Sequence, residues 1–89
     1  MNVEKKIVGE FLKQMRKRRG LTQLQVAREF GWTSAQFVSN WERGLSLPPQ
    51  ATLMDLVKLY EIPPSEVVKV FTIASKASLD EFLKEIKVL

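Results

Sequence analysis

Cysteine and histidine are both absent from this 89-residue chain. Without cysteine no disulfide staples the core and no thiolate serves redox or metal chemistry, which is compatible with a reducing compartment. Without histidine the chain lacks both the commonest general base and the commonest metal ligand, and only carboxylates, lysines and hydroxyls remain for any catalytic scheme. No nucleophile–base pair, metal-ligand cluster or phosphate-cradling glycine loop is visible, so an enzyme is disfavoured and neither cofactor nor metal is expected. Long apolar runs are missing too: none approaches the roughly 18–20 residues that span a bilayer. The N-terminus carries no signal-peptide h-region. These absences point to a soluble, cytoplasmic protein, and the length fits one domain with a single modest core.

What is present is an uneven charge. The net charge of +4 is only moderately basic, yet Met1 to Gly44 holds nine Lys/Arg against four Asp/Glu, whereas Leu45 to Leu89 holds five against six. Four of the cations are consecutive, Arg16, Lys17, Arg18 and Arg19. A block of this kind attracts phosphate at long range. It equally suits the C-terminal end of a helix, where cations complement the macrodipole.

Apolar spacing predicts helices throughout. Ile7, Val8, Phe11, Leu12 and Met15 form one face of a first helix closed by Gly20. Thr22 is a suitable N-cap for a second, short helix with Leu24, Val26, Ala27 and Phe30, stopped by Gly31. Thr33 or Ser34 caps a third with Phe37, Val38 and Trp41, ended by Gly44. Pro48-Pro49 breaks the chain and starts a fourth helix, whose apolar residues from Ala51 to Tyr60 nearly encircle it and predict a central, buried element. After Pro63-Pro64 a fifth helix is expected over Ser65 to about Ser75. The capping-box form of Ser78-Leu79-Asp80-Glu81 then predicts a separate sixth helix with the stripe Leu79, Phe82, Leu83 and Ile86. The expected organisation is therefore all-α: five short helices in a compact bundle over residues 1–75, and a terminal amphipathic helix over 76–89.

Two short helices joined by a tight turn, the second offering small and polar residues, form the arrangement that lays a helix in the major groove of DNA. Thr22 to about Arg43 has this form, with a small residue, Ala27, where the helices cross. The chain also resembles the Cro and phage-repressor (Xre-like) helix-turn-helix group. The resemblance spans about residues 7–71 and rests on a linked set: Leu21-Thr22-Gln23, Ala27, Gly31, Trp41-Glu42-Arg43-Gly44 and the following Leu47-Pro48. It implies a lambda-repressor-like fold and sequence-specific binding of double-stranded DNA by a transcriptional regulator, a repressor, with a recognition helix over about 34–42. Position by position, it implies base reading by Ala35, Gln36, Ser39 and Asn40, and backbone contacts from Gln23, Ser34 and Arg43. It further implies a structural ion pair between Arg16 and Glu42; were that pair buried, loss of either partner would cost about 3–5 kcal/mol. Lys17, Arg18 and Arg19 would add sequence-independent phosphate affinity if they face the duplex. One departure stands out: Trp32-Thr33 between Gly31 and Ser34 makes the turn one residue longer than the group's Gly-x-Ser. Phe37, where members carry a small polar residue, either packs inward or touches a thymine methyl.

Members of the group commonly bind inverted-repeat operators as dimers, with half-sites roughly 34–36 Å apart. A homodimer is accordingly expected. The stripe Leu79, Phe82, Leu83 and Ile86 is a candidate dimer or partner contact, or else it packs on the chain's own core. An alternative reading is a protein-interaction module, an antitoxin or adaptor acting mainly through that helix.

Overall fold

The apolar spacings resolve into five α-helices in the computed structural model, which describes residues 3–87: α1 (Val3–Arg18), α2 (Gln23–Glu29), α3 (Gln36–Glu42), α4 (Gln50–Leu59) and α5 (Pro64–Lys87). No strand occurs among the described residues. Residues 1, 2, 88 and 89, the outer ends of the two expected units, lie outside the described part.

Helix ends follow one recipe. After α1, α2, α3 and α4 the chain closes with the same backbone bond between residues five apart: Leu21 N–H to Arg16 O at 3.2 Å, Trp32 to Ala27 at 3.0 Å, Leu45 to Asn40 at 3.0 Å and Ile62 to Val57 at 3.0 Å. This closure requires a left-handed residue just before the donor, and Gly20, Gly31 and Gly44 supply it at φ of 70°, 77° and 75°. At the fourth end the left-handed residue is Glu61, at φ 53°. A side chain there costs roughly 1 kcal/mol, and no glycine announces the turn in the sequence. The donor residue is apolar each time. Leu21, Trp32 and Ile62 turn onto the core, while Leu45 stays exposed. At the start of α2, Thr22 Oγ1 accepts from Gln25 N–H while Gln25 Oε1 accepts from Thr22 N–H, a reciprocal cap that fixes the first turn.

The core gathers Val8 and Leu12 of α1, Val26 and Ala27 of α2, Val38 and Trp41 of α3, and Leu56, Tyr60, Ile62 and Ala74. It centres on α1, which packs against α5 and α3. The expectation that the fourth helix is the buried centre fails: within α4 only Leu56 is buried, and Met54 is exposed. A ten-residue helix in so small a bundle meets neighbours on one side only, so an all-round apolar sequence leaves part of itself in water. Leu24, expected among the apolar contacts of the second helix, is likewise exposed. The fifth and sixth helices are also corrected, because they are one continuous helix of 24 residues. The segment Ser75 to Ser78 holds no glycine or proline to interrupt helical hydrogen bonding, so Ser78 sits mid-helix rather than as a cap.

Gly9, on the inner face of α1, sets the distance to α3. A Cβ at this position would run into the Trp41 carbonyl oxygen and lie 3.0 Å from that of Glu42. The last turn of the third helix therefore rests directly on the backbone of the first. Gly9→Ala is expected to lower unfolding free energy by about 3 kcal/mol, since the obstruction is backbone and no rotamer relieves it. Gly20→Ala, whose added Cβ would meet nothing within 4 Å, should cost only the left-handed strain of about 1 kcal/mol. Urea unfolding of the two variants checks this; equal losses would show that α1 and α3 are not in limiting contact.

Candidate nucleic-acid interface

The second and third helices are locked to the first through one carboxylate. Arg16 Nε donates to Glu42 Oε2 at 2.6 Å and Arg16 Nη2 to Glu42 Oε1 at 2.9 Å, a two-pronged pair in which each residue is only 8% exposed. The remaining Arg16 nitrogen, Nη1, donates to the Leu21 carbonyl at 2.7 Å, and Gln23 Nε2 donates to Glu42 Oε1 at 2.9 Å. The hydrogen bond to Glu42 raises the Arg16 pKa above its ordinary value; burial opposes this, and the carboxylate's field adds to it. The expected pairing of Arg16 with Glu42 is thus present, and it also enlists Gln23. That glutamine, expected to meet a phosphate, turns its amide nitrogen inward onto the carboxylate.

Outward from this lock, α3 carries a polar ridge. Gln36, Asn40 and Arg43 follow one another at steps of four and three, which puts them on one face. Gln36 Nε2 donates to Asn40 Oδ1 at 2.8 Å and Arg43 Nη2 donates to the same oxygen at 3.0 Å. Two donors on one oxygen fix which way the Asn40 amide points, with its N–H groups directed away from them. Gln36 and Arg43 are exposed, while Asn40 and Ser39 are half-buried. Behind the ridge, Val38, Trp41 and Glu42 are buried.

The start of α3 differs from expectation. Ala35, not Thr33 or Ser34, holds the capping position and offers no side-chain bond. Ser34 Oγ still accepts from Gln36 N–H, at 3.1 Å, so a hydroxyl satisfies the first open donor from one residue further out. The longer turn moves the helix start to Gln36 and leaves Ser34 and Ala35 ahead of it.

The basic run divides. Arg16 is buried in the lock. Arg18 meets Glu66 through Nη2 to Oε2 at 3.3 Å, Arg19 meets Glu61 at 2.6 Å, and Lys17 is exposed. Arg18 and Arg19 are therefore engaged with the start of α5 and the turn before it, and among the described residues no hydrogen bond or ion pair ties them to the ridge on α3. No local pattern marks Glu61 and Glu66 as their partners, because the pairs join residues more than forty positions apart. Of the four terminal stripe residues, Leu79, Phe82, Leu83 and Ile86, all are exposed. No group of three or more His, Cys, Asp or Glu that could hold a metal occurs among the described residues, and none of their helices is long and apolar enough to cross a membrane.

Tyr60 lies under the lock and feels it. Burial first, and then the Glu42 charge, push its phenol pKa well above the ordinary 10.0, with Arg16 opposing. The unfolded chain releases this proton near pH 10 while the folded chain keeps it. The contribution to stability is therefore intact below pH 10 and shrinks as pH rises beyond it, by up to about 1.4 kcal/mol per unit. Tyr60 is the sole tyrosine, so tyrosinate absorbance reads it directly. The folded protein should show no phenol titration near pH 10, and Tyr60→Phe should flatten the alkaline loss of stability. A normal titration in the folded state would contradict this burial.

A family model for helix-turn-helix domains, of the Xre and lambda-repressor-like kind, matches residues 12–67. No curated protein and no solved structure matches the chain. The matched span runs from Leu12 through the Arg16–Glu42 lock and both helices of the turn to Val67 on α5. The chain belongs to the helix-turn-helix family of DNA-binding regulator domains.

Proposed function

We propose that the protein is a sequence-specific repressor that reads double-stranded DNA by seating α3 in the major groove. The observation that carries this is the hydrogen-bonded run Gln36, Asn40 and Arg43 on a helix whose opposite face is held by the core. Gln and Asn side chains match the N6 donor and N7 acceptor of adenine, and each good pair discriminates by about 1–3 kcal/mol. Ala35 and Ser39 complete the reading surface, with Arg43 and Ser34 along the phosphates; Gln23, whose Nε2 gives one hydrogen to Glu42, has a second to offer a phosphate. Arg18 and Arg19 serve as phosphate contacts after leaving Glu66 and Glu61. Exposed pairs of that kind are worth about 0–1 kcal/mol, so the exchange costs little. Lys17 adds to the same attraction. The reaction involves no cofactor and no catalytic step, and it takes place where the DNA is, in the cytoplasm.

The repressor acts as a homodimer on an inverted repeat, joined through the end of α5. At about 100° per residue, the residues of α5 that face the body recur as Val67, Val70, Ala74, Ala77 and Glu81, all buried or half-buried. Leu79, Leu83 and Ile86 lie about 140–160° away from that line, and Phe82 about 100°. All four are exposed rather than packed on the core. The same stripe is what an adaptor would use to hold a different protein, and the choice between the two is measurable.

For the reading surface, Gln36→Ala and Asn40→Ala should relax base preference about ten-fold or more at one position of a selected duplex. Arg43→Ala should weaken all duplexes alike and lower the salt slope by about one. Equal loss on selected and random DNA for Gln36→Ala would reject base reading. For assembly, sedimentation should show a dimer that Phe82→Glu converts to a folded monomer with weaker, non-cooperative DNA binding. A wild-type monomer at every concentration would overturn the homodimer and favour the adaptor.

A further inference from the structure

The aromatic residues of the turn form a cluster whose outermost ring faces water. Phe30 and Trp32 stack with ring centroids 4.9 Å apart and 19° between planes, Trp32 meets Phe37 at 5.0 Å, and Phe37 lies 6.4 Å from buried Trp41 at 18°. Phe37 is nonetheless 56% exposed. It is the second residue of α3 and stands about 100° round the helix from Gln36 and about 60° from Asn40. A large apolar ring thus flanks the polar ridge, braced by Trp32 and Trp41, whose own rings meet at 5.9 Å.

Bracing is the informative part. Rings in tilted and offset contact are held in place at little entropic cost on binding, because their rotamers are already restricted. The backbone under Trp32 is fixed by its main-chain N–H donating to Ala27 O at 3.0 Å, and its ring is held between Phe30 and Trp41. An exposed phenyl gains nothing by facing water, and its neighbours Gln36, Asn40 and Arg43 suit a polar, anionic surface. In the major groove the one apolar group at a base edge is the C5-methyl of thymine.

We propose that Phe37, propped on Trp32, is a specificity-determining residue that packs on a thymine C5-methyl beside the base read by Gln36 or Asn40. The proposal rests on the reading of α3 as the groove-entering helix. It assigns the extra turn residue a purpose: the longer turn carries Trp32 to where it supports the phenyl.

The test starts from a duplex selected by the wild-type protein from random sequences, into which uracil replaces thymine one position at a time. Uracil keeps every hydrogen-bonding group and loses only the methyl. Wild-type affinity should fall about four-fold, the worth of one buried methyl-sized group, at one position of each half-site. Phe37→Ala should bind the thymine duplex with a similar loss and become indifferent to the swap there, whereas Phe37→Leu, which keeps an apolar contact, should retain part of the discrimination. Trp32→Ala should blunt it with Phe37 still in place. Circular dichroism and melting temperature verify that each variant is folded, and the leucine variant decides the matter should the alanine variant unfold. A selected duplex with no methyl-sensitive position, or one whose sensitivity survives Phe37→Ala, overturns the role of Phe37 while leaving groove reading intact. Failure of the wild type to select any duplex overturns both.

Discussion

One buried carboxylate sets the relation among three helices. Glu42 sits in the last turn of the third, receives two bonds from Arg16 of the first and one from Gln23 of the second, while Arg16 also grips the carbonyl of Leu21 in the loop between. Ion pairs taken out of water contribute little net stability, because desolvation offsets most of the attraction. Their geometry is another matter. A planar guanidinium and a planar carboxylate meet well in few orientations, so this contact specifies how the two helices of the turn lie against α1. Gly9 does the same by shape, allowing α1 to touch the carbonyls that end α3. Charge fixes direction and the missing side chain fixes distance.

Against that rigid backing, the surfaces proposed to meet DNA are inexpensive to rearrange. The ridge bonds of α3 are exposed and local, and the pairs of Arg18 and Arg19 join flexible side chains in water. Each can give way to a phosphate or a base edge with a small change in free energy. Two of the places where apolar side chains face water, a phenyl on α3 and a stripe on the outer side of α5, are those for which an external partner is proposed.

Much of this was readable from residues alone where the signal is local. Helix stops at Gly20, Gly31 and Gly44 need one residue type with a left-handed backbone, and Thr22 with Gln25 needs only a three-residue spacing. The family motif carried Arg16 with Glu42. Illegible were the features that depend on what lies opposite in space. Gly9 reads as a tolerated small residue until the backbone of α3 is found against it. Glu61 hides a helix end that glycine would have marked. The apolar girth of the fourth helix predicted a central element, yet burial depends on how many neighbours a helix has, which periodicity does not report. The break expected at Ser78 came from a sequence that fits a cap equally well inside a helix, and nothing local distinguishes the two.

The unbroken run of α5 from Pro64 to Lys87 has a mechanical consequence. Because no joint separates the part clamped on α1 from the free end, the helix behaves as a threaded rod. Lengthening it by one residue between Ala74 and Leu79 would advance the free end by about 1.5 Å but swing it through about 100°. Evolution of this chain can therefore adjust the azimuth of whatever joins there only in coarse steps, and near-original alignment returns only after three or four residues, or more closely after seven. Insertions in this stretch are constrained by angle rather than by reach.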